Sequence, residues 1–136
     1  MPASVFLLGP GFIGGEIIDL LLVSNYKVTT LVRRESAVAD YANLGVETVV
    51  GNLDDASVIK AQVAVSDIVL HTATADHLPS VQAIIDGIRE RAAQGRKTIY
   101  IHNSGATLLA DTAEGEYKSD TIFDDEKPEE IDTLPD

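Results

Sequence analysis

Short apolar segments alternate with segments of helical periodicity along most of this chain, and this alternation limits the possible folds more than any other feature. Five runs rich in apolar and β-branched residues predict strands, and four segments between them, with apolar residues at helical spacing, predict helices. Strands and helices in this order build βαβ units, so we predict a parallel sheet covered by helices on both faces. The predicted strands are 4–9, 27–33, 46–51, 67–73 and 97–105, and the predicted helices are 12–25, 35–45, 54–66 and 78–95.

The handedness of such connections sets the expected strand order. Crossovers between parallel strands are right-handed, and the order 3-2-1-4-5 satisfies this rule for five strands. The predicted fold is therefore α/β, a Rossmann-type doubly wound parallel sheet. Its ligand crevice is expected at the carboxyl ends of strands 1 and 4.

The negative charge of the chain is concentrated toward its C-terminal end. The formal net charge of the 136 residues is −12; residues 1–110 contain 11 acidic and 8 basic side chains, whereas residues 111–136 contain 11 acidic and 2 basic ones. We therefore predict a folded domain over 1–110 and an acidic C-terminal extension over 111–136. Such an extension repels phosphate groups, so neither nucleic acid nor a membrane surface is expected as a partner.

Two further features bear on the expected compartment. The sequence contains no cysteine, which excludes disulfides and thiolate metal sites and is typical of a reducing compartment. No apolar run approaches the ~20 residues that span a bilayer, and the first basic residue is Lys27, so the charged leader of a secretory signal is missing. We expect a cytoplasmic location.

A glycine-rich turn separates the first predicted strand from the first predicted helix. Gly9, Gly11 and Gly14 form the pattern G-x-G-x-x-G. In dinucleotide-binding folds, these glycines permit a tight turn, let a pyrophosphate approach the backbone and allow the helix to pack closely on the sheet. The helix N-terminus adds N–H donors and a partial positive charge. This turn therefore predicts a dinucleotide site, and residues 1–110 are predicted to be an NAD(P)-binding domain.

Two arginines follow the second strand, at the place where NAD-binding domains carry an acid for the ribose hydroxyls. Arg33 and Arg34 supply planar, permanently charged donors that suit a 2′-phosphate. We predict that the cofactor is NADP(H) in preference to NAD(H). The alternative is that one of the two, and Arg34 more than Arg33, only faces solvent.

The residues that follow strands 3 and 4 suit the other parts of a dinucleotide. Asn52 can offer a donor and an acceptor to the edge of the adenine, and Leu53 can pack on the ring. The small residues Ala73 and Thr74 leave room for the nicotinamide ribose. Asp54 and Asp55, in contrast, are expected to cap the next helix.

His71 and His77 raise the question of a metal. Neither a third histidine nor a convergent carboxylate lies at ligand spacing from them, so no metal site is predicted. His71, inside a strand, is interpreted as a partly buried histidine with its hydrogen bonds satisfied.

The order of these motifs carries a resemblance to a known family. GPGFIGG, LVRR, GNLDD, VLHTAT and IHNSG follow one another as in extended and atypical short-chain dehydrogenase/reductases. The chain is most similar to the NmrA-like and epimerase-like NAD(P)-binding proteins of fungal type, and only to their N-terminal part. The resemblance implies a longer relative that continues into a substrate-binding region, of which this chain is a truncated form.

The resemblance also implies roles for individual residues. Gly9, Gly11 and Gly14 form the pyrophosphate turn, and Phe12 and Ile13 supply it with backbone N–H groups. The remaining implied cofactor contacts are Arg33 and Arg34 at the 2′-phosphate, Asn52 and Leu53 at the adenine, and Ala73, with Thr74 beside it, at the ribose.

The catalytic groups of the family are matched only in part. Ser104 matches the serine that orients a substrate carbonyl or hydroxyl. Catalytic members also use Tyr-x-x-x-Lys, in which the lysine lowers the pKa of the tyrosine for proton exchange. None of the four tyrosines has a lysine at the fourth following position, and Tyr117, next to Lys118, is the nearest substitute. Ser104 and Tyr117 are the catalytic candidates.

Three functions follow from this pattern. Our prediction is an NADP(H)-binding domain of an oxidoreductase or epimerase lineage that stops before the Tyr–Lys pair. The alternative is a non-catalytic NADP(H)-sensing regulatory protein of NmrA-like type. A complete small oxidoreductase that uses Ser104 and Tyr117 is the third.

The predicted sheet ends at its fifth strand, which leaves an edge and an apolar side uncovered. Such surfaces are liabilities in a monomer. Either residues 106–136 fold back over the apolar side or a second chain covers it, and we predict a homodimer or a partner chain. In the acidic extension, residues 126–134 predict a short helix with Pro128 in its first turn.

Overall fold

The structure, a computed structural model, describes residues 1–110 and 113–131, without the side chains of residues 107 and 108. Two 3₁₀ turns, Glu35–Ala37 and Ala106–Leu109, accompany the longer elements. The strands are β1 (Ser4–Leu8), β2 (Lys27–Val32), β3 (Glu47–Val50), β4 (Ile68–His71) and β5 (Ile99–His102), and the helices are α1 (Phe12–Val23), α2 (Val38–Asn43), α3 (Ala56–Val63), α4 (Leu78–Ala93) and α5 (Pro128–Ile131).

The five strands form one parallel sheet in the order β3-β2-β1-β4-β5. This confirms the predicted α/β, Rossmann-type doubly wound topology. Because the order reverses between β1 and β4, the two strands diverge into loops on opposite faces, and a crevice opens at their carboxyl ends.

The sheet is buried on both faces because successive side chains of its central strands point in opposite directions. On one face the core contains Phe6, Leu8, Leu31, Ile59, Val63, Val69, Ala83 and Ile84, which brings β1, β2 and β4 together with α3 and α4. On the other face it contains Val5, Leu7, Ile18, Val28, Val46 and Leu70. The apolar runs of the sequence are therefore the strands of a two-sided core.

The observed elements are shorter than the predicted ones at one or both ends. The predicted helix 35–45 is divided into the 3₁₀ turn and α2, and the predicted helix 54–66 begins only at Ala56. Its start is delayed because side chains stabilise a turn before it: the Asn52 Oδ1 accepts from the N–H of Asp54 at 2.7 Å, and the Asp55 Oδ2 accepts from the N–H of Asn52 at 2.7 Å.

The chain divides into two compact units, Met1–Asn103 and Ser104–Asp136. The whole sheet belongs to the first unit. In the second, α5 forms part of the helix predicted over 126–134, and residues 132–134 of that prediction lie outside the described residues, as do 111, 112, 135 and 136 of the acidic extension. The division of the chain at 110 and 111 stays a prediction.

Candidate functional site

A cleft of about 660 Å³ opens at the carboxyl ends of β1 to β4, where the doubly wound topology places a ligand. All the residues that line it belong to the first unit. They are Gly9, Pro10, Gly11, Leu31, Val32, Arg33, Arg34, Ala37, Tyr41, Asn52, Leu53, Asp54, Thr72, Ala73, Thr74 and His77.

Most of the predicted cofactor residues lie together in this cleft. Those that line it are Gly9, Gly11, Arg33, Arg34, Asn52, Leu53, Ala73 and Thr74. The other three, Phe12, Ile13 and Gly14, form the first turn of α1. The exposed side chains of Phe12 and Ile13 line a separate hollow, so these residues present their backbone groups to the turn. That these groups bind the cofactor stays a prediction.

The glycine turn is tight at two positions and open at the third. Gly9 has a φ of +89°, a left-handed conformation that favours glycine. A Cβ added to Gly14 would lie 2.1 Å from the carbonyl oxygen of Gly9, so α1 packs against the turn as only glycine allows. A Cβ added to Gly11 would meet nothing within 4 Å. The backbone at Gly11 therefore faces open space that a ligand could occupy.

The N-terminus of α1 presents donors to the same space. Its N-cap is Gly11, no side chain caps it, and its first turn contains no acidic residue. The first N–H groups of a helix have no acceptor within the helix, and they carry a partial positive charge. Uncapped in this way, the first turn of α1 suits an anion.

Two cations lie across the cleft from this helix end, at the end of β2. The Arg33 and Arg34 side chains are exposed. Within residues 1–110 and 113–131, neither guanidinium forms a salt bridge. Beside them, the Tyr41 hydroxyl donates to the carbonyl oxygen of Pro10 at 3.3 Å and joins α2 to the glycine turn. The cleft thus contains two guanidinium groups that form no ion pair within the described chain, while its one acidic lining residue, Asp54, contacts His77 instead.

The loop after β3 differs in one respect from its prediction. The Asp55 side chain does not cap α3, because its Oδ2 accepts from the N–H of Asn52 instead. The Asp54 Oδ1 lies 3.2 Å from the Nε2 of His77. Both aspartates therefore organise the loop that carries Asn52 and Leu53. Asp55 is the N-cap residue of α3, as expected, but without a capping hydrogen bond from its side chain, and Asp54 lies one residue before that position.

The histidine at the end of β4 is buried more deeply than predicted. His71 has no exposed surface, its Nε2 lies 2.9 Å from the Ser80 Oγ, and its Nδ1 has no partner in the described chain. Burial, reinforced by the positive charge of His102 and His77 when they are protonated, lowers the pKa of His71 to about 4, so the ring is neutral at pH 7. The interpretation of His71 as partly buried with its hydrogen bonds satisfied is wrong on both counts.

Neither a metal centre nor a membrane span appears in the described part of the chain. Within residues 1–110 and 113–131, no three histidine, aspartate or glutamate side chains are arranged to hold a metal ion. No helix among these residues is both long and apolar enough to cross a bilayer.

The two catalytic candidates, Ser104 and Tyr117, both belong to the second unit. The Tyr117 side chain is exposed. Their role in catalysis stays a prediction.

Three residues of the cleft carry little signal in the sequence. Ala37 and Tyr41 line it four positions apart, and this helical spacing directly after the two arginines was the available signal. The sequence around His77 raises only the questions of metal binding and proton transfer, whereas in the structure His77 lines the cleft and contacts Asp54. No local pattern joins these two residues, which are 23 positions apart.

Comparisons with known proteins agree with this geometry. The sequence profile of a family described as NAD(P)H-binding matches residues 9–126. The oxidase ucsJ of an Acremonium species is 34% identical over 134 residues, which cover 92% of this chain and 38% of the oxidase. Phenylcoumaran benzylic ether reductase 1 of Arabidopsis thaliana is 30% identical over 94 residues, which cover 63% of this chain and 30% of the reductase.

A solved structure extends the comparison to three dimensions. The yeast methylglyoxal/isovaleraldehyde reductase Gre2, solved in complex with NADPH, is 26% identical and has a TM-score of 0.66 over 85% of this chain and 41% of its own. The chain thus spans well under half the length of these relatives. The predicted resemblance to atypical short-chain dehydrogenase/reductases is confirmed, and because the family profile matches most of its length, the chain belongs to the NAD(P)H-binding family.

Proposed function

We propose that this chain is the NADP(H)-binding domain of an oxidoreductase of the atypical short-chain dehydrogenase/reductase type, close to the NmrA-like proteins. The observation that carries the proposal is the pair Arg33 and Arg34, which line the same cleft as the glycine turn and form no salt bridge within residues 1–110 and 113–131. NADP(H) differs from NAD(H) by a 2′-phosphate, and arginine recognises phosphate through charge-assisted, two-pronged hydrogen bonds.

The residues present fit the rest of this cofactor. The first turn of α1, with open space beside Gly11, would hold the pyrophosphate. Asn52 and Leu53 would contact the adenine, while Ala73 and Thr74 would border the nicotinamide ribose. When bound, the dinucleotide supplies a hydride donor or acceptor at its nicotinamide ring. The role of this chain is to bind and orient the dinucleotide.

The direct test is calorimetric titration with NADPH and NADH, using the wild-type chain and Arg33→Ala. Loss of a charged hydrogen-bond partner costs about 1.5–3 kcal/mol, so we expect the Kd for NADPH to rise by roughly 10- to 150-fold. The Kd for NADH should change little, because NADH has no phosphate at this position.

Arg89→Ala is the matched control. Arg89 is exposed on α4, pairs with Asp86 and does not line the cleft, so this variant changes the net charge equally. Equal affinity for NADPH and NADH, unaffected by Arg33→Ala, would refute the 2′-phosphate assignment. Absence of binding by either nucleotide would refute the function itself.

A second candidate function is a non-catalytic sensor of NADP(H). The cleft and the first turn of α1 supply binding groups, which are what a sensor requires. A sensor must bind the oxidised and reduced forms with different affinity, because a ligand shifts an equilibrium only through such a difference. Equal Kd values for NADP⁺ and NADPH would exclude this role.

We also propose that a second copy of the chain, or another chain, covers the edge strand β5. Ile99 is 60% exposed and Ile101 is 54% exposed, and they project from the same face of this strand. A monomer by light scattering at micromolar concentration would contradict this proposal.

A further inference from the structure

His77 makes two hydrogen bonds that fix where its proton lies. It is the N-cap of α4, and its Nδ1 accepts from the N–H of Ser80 at 3.2 Å. A ring nitrogen that accepts carries no hydrogen, so the hydrogen of the neutral ring is on Nε2. This nitrogen lies 3.2 Å from the Asp54 Oδ1 and donates to it. One imidazole therefore caps a helix and bridges to another loop.

The bridge joins two loops that both line the cleft. Asp54 belongs to the loop after β3, next to the proposed adenine contacts, and His77 ends the loop after β4, which carries the proposed ribose contacts Ala73 and Thr74. In the sheet, β2 and β1 lie between these strands. No backbone pairing therefore joins the two loops directly. The helices that follow them, α3 and α4, pack against each other through Ile59, Val63, Ala83 and Ile84, and the Asp54–His77 contact adds a direct side-chain link between the loops themselves.

Further hydrogen bonds fix both partners of the Asp54–His77 contact. The N–H of Asp54 donates to the Asn52 Oδ1 at 2.7 Å. The Ser80 Oγ donates to the carbonyl oxygen of His77 at 2.9 Å, and it also lies 2.9 Å from the Nε2 of the buried His71. The Asp54–His77 contact therefore connects the hydrogen-bonded turn after β3, through Ser80, to the buried imidazole of His71.

A third histidine fixes the middle of the same loop. The Nε2 of His102, on β5, donates to the carbonyl oxygen of Ala75 at 3.1 Å, while its Nδ1 lies 2.8 Å from the Tyr100 hydroxyl. The loop between β4 and α4 is thereby tied to β5 in its middle and to the β3 side at its end.

We propose that the Asp54–His77 contact is a latch that, together with the packing of α3 on α4, holds the adenine and ribose walls of the cleft at the separation a dinucleotide needs, with His77 as a positioning residue for dinucleotide binding. This inference rests on the proposed function. A ligand that spans both walls needs the latch, whereas a ligand that touches only the adenine wall does not. Capping of α4 uses only Nδ1, so the Nε2 contact can be removed without removing the cap.

The variant His77→Asn separates the two roles. Asparagine is a favoured N-cap residue, but its side chain is too short to extend to Asp54. Asp54→Ala removes the acceptor, and Asp54→Asn keeps an oxygen that can accept from the His77 Nε2. These three variants, the double variant His77→Asn/Asp54→Ala and the wild type are titrated by calorimetry with NADPH and with adenosine 2′,5′-bisphosphate, which represents the adenine half alone, and their urea midpoints are measured in parallel.

We expect His77→Asn and Asp54→Ala each to weaken NADPH binding about two- to fivefold, the range of a solvent-exposed charged contact. The double variant should be no weaker than either single one, and Asp54→Asn should bind NADPH as the wild type does. Affinity for adenosine 2′,5′-bisphosphate and the urea midpoint should not change.

Three outcomes would overturn the latch, and they differ in whether the proposed function stands. Wild-type affinity for NADPH in His77→Asn and Asp54→Ala overturns the latch and leaves the proposed function standing. An equal loss for the half ligand, or a fall of the urea midpoint in step with affinity, overturns the latch in favour of a structural role. Absence of NADPH binding by the wild type overturns both proposals.

Discussion

At the amino-terminal edge of the sheet, beside β1 and β4, charged groups are paired with one another, whereas at its carboxyl edge the first turn of α1 and the two arginines after β2 lack partners in the described chain. Asp67, just before β4, accepts at 2.9 Å from both the N–H and the hydroxyl of Ser4. It also accepts from the Nη2 of Arg91, a side chain that is only 2% exposed. At the carboxyl ends, α1 begins without a side-chain cap and Arg33 and Arg34 form no salt bridge in residues 1–110 and 113–131.

The difference shows how one sheet separates stability from binding. The charges at the amino end tie the start of β1 and the end of α4 to β4, so they serve the fold. The donors at the carboxyl end lie in a cleft, where they are available to an anionic ligand. Substitutions at the amino end should therefore change stability, and those at the carboxyl end should change affinity first.

The largest effect is expected for Asp67→Asn. The substitution leaves the buried Arg91 charge without a carboxylate and can turn an amide N–H toward the N–H of Ser4, so stability should fall by about 3 kcal/mol. Urea unfolding measures this loss, while the Kd of the folded protein for NADPH should stay unchanged. Asp86→Asn, at an exposed pair with Arg89, is the control and should cost under about 1 kcal/mol. A comparable loss in the two variants would refute the special role of the amino end.

The next largest effect is a pH dependence from His71. Its pKa in the folded chain is lowered from 6.5 to about 4, so the unfolded chain binds the proton more readily as the pH falls. Between pH 6.5 and 4 this should remove about 3 kcal/mol from the unfolding free energy. His71→Gln, which can still donate to Ser80, should show a flatter pH profile. If the unfolding free energies of the wild type and of His71→Gln fell equally with pH, this result would contradict the burial of His71 as a neutral ring.

The two ends respond in different pH ranges. Hydrogen bonds from Ser4, and next the Arg91 charge, lower the pKa of Asp67 below its usual 3.8. The stability that Asp67 contributes is thus fully present above that value and is lost only as the pH falls below it. On acidification, the stability that depends on His71 at the carboxyl end should therefore be lost at a higher pH than the stability that Asp67 contributes at the amino end.

The smallest effects belong to the glycines of α1. A Cβ at Gly14 collides with the carbonyl of Gly9, so Gly14→Ala should cost about 1–3 kcal/mol of stability and weaken NADPH binding by shifting the helix. Gly15→Ala is the matched control, because its Cβ meets nothing within 4 Å and alanine in a helix stabilises by roughly 0.5–1 kcal/mol. Melting curves and NADPH titrations of both variants test this contrast. Tighter NADPH binding by Gly14→Ala would contradict it.

The fold could be predicted because its signals are local. Apolar periodicity marked the strands, and the position of the glycine pattern between a strand and a helix marked the cleft. The pairs that distinguish the two ends could not be predicted in this way. Asp67 and Arg91 are 24 positions apart and Asp54 and His77 are 23 apart, so the topology alone brings them together.

Burial of polar residues was also missed, since hydropathy patterns treat them as exposed. His71 and Arg91 lie in the core with part of their hydrogen-bonding groups paired: the Nε2 of His71 lies 2.9 Å from the Ser80 Oγ, and the Nε of Arg91 donates to the carbonyl oxygen of Lys97 at 3.2 Å. Such partners are visible only once the elements are packed. The Nδ1 of His71 and the Nη1 of Arg91 have no partner in the described chain.

The central claim, that a dinucleotide binds at the carboxyl end of this sheet, is tested most directly by following backbone amides in ¹H–¹⁵N NMR spectra during titration with NADPH. We predict saturable shifts of the Phe12, Ile13 and Gly14 amides, together with those of Arg33 and Arg34, and constant positions for Ser4 and Asp67. Spectra that do not change, or shifts centred on Ser4 and Asp67, would contradict the account.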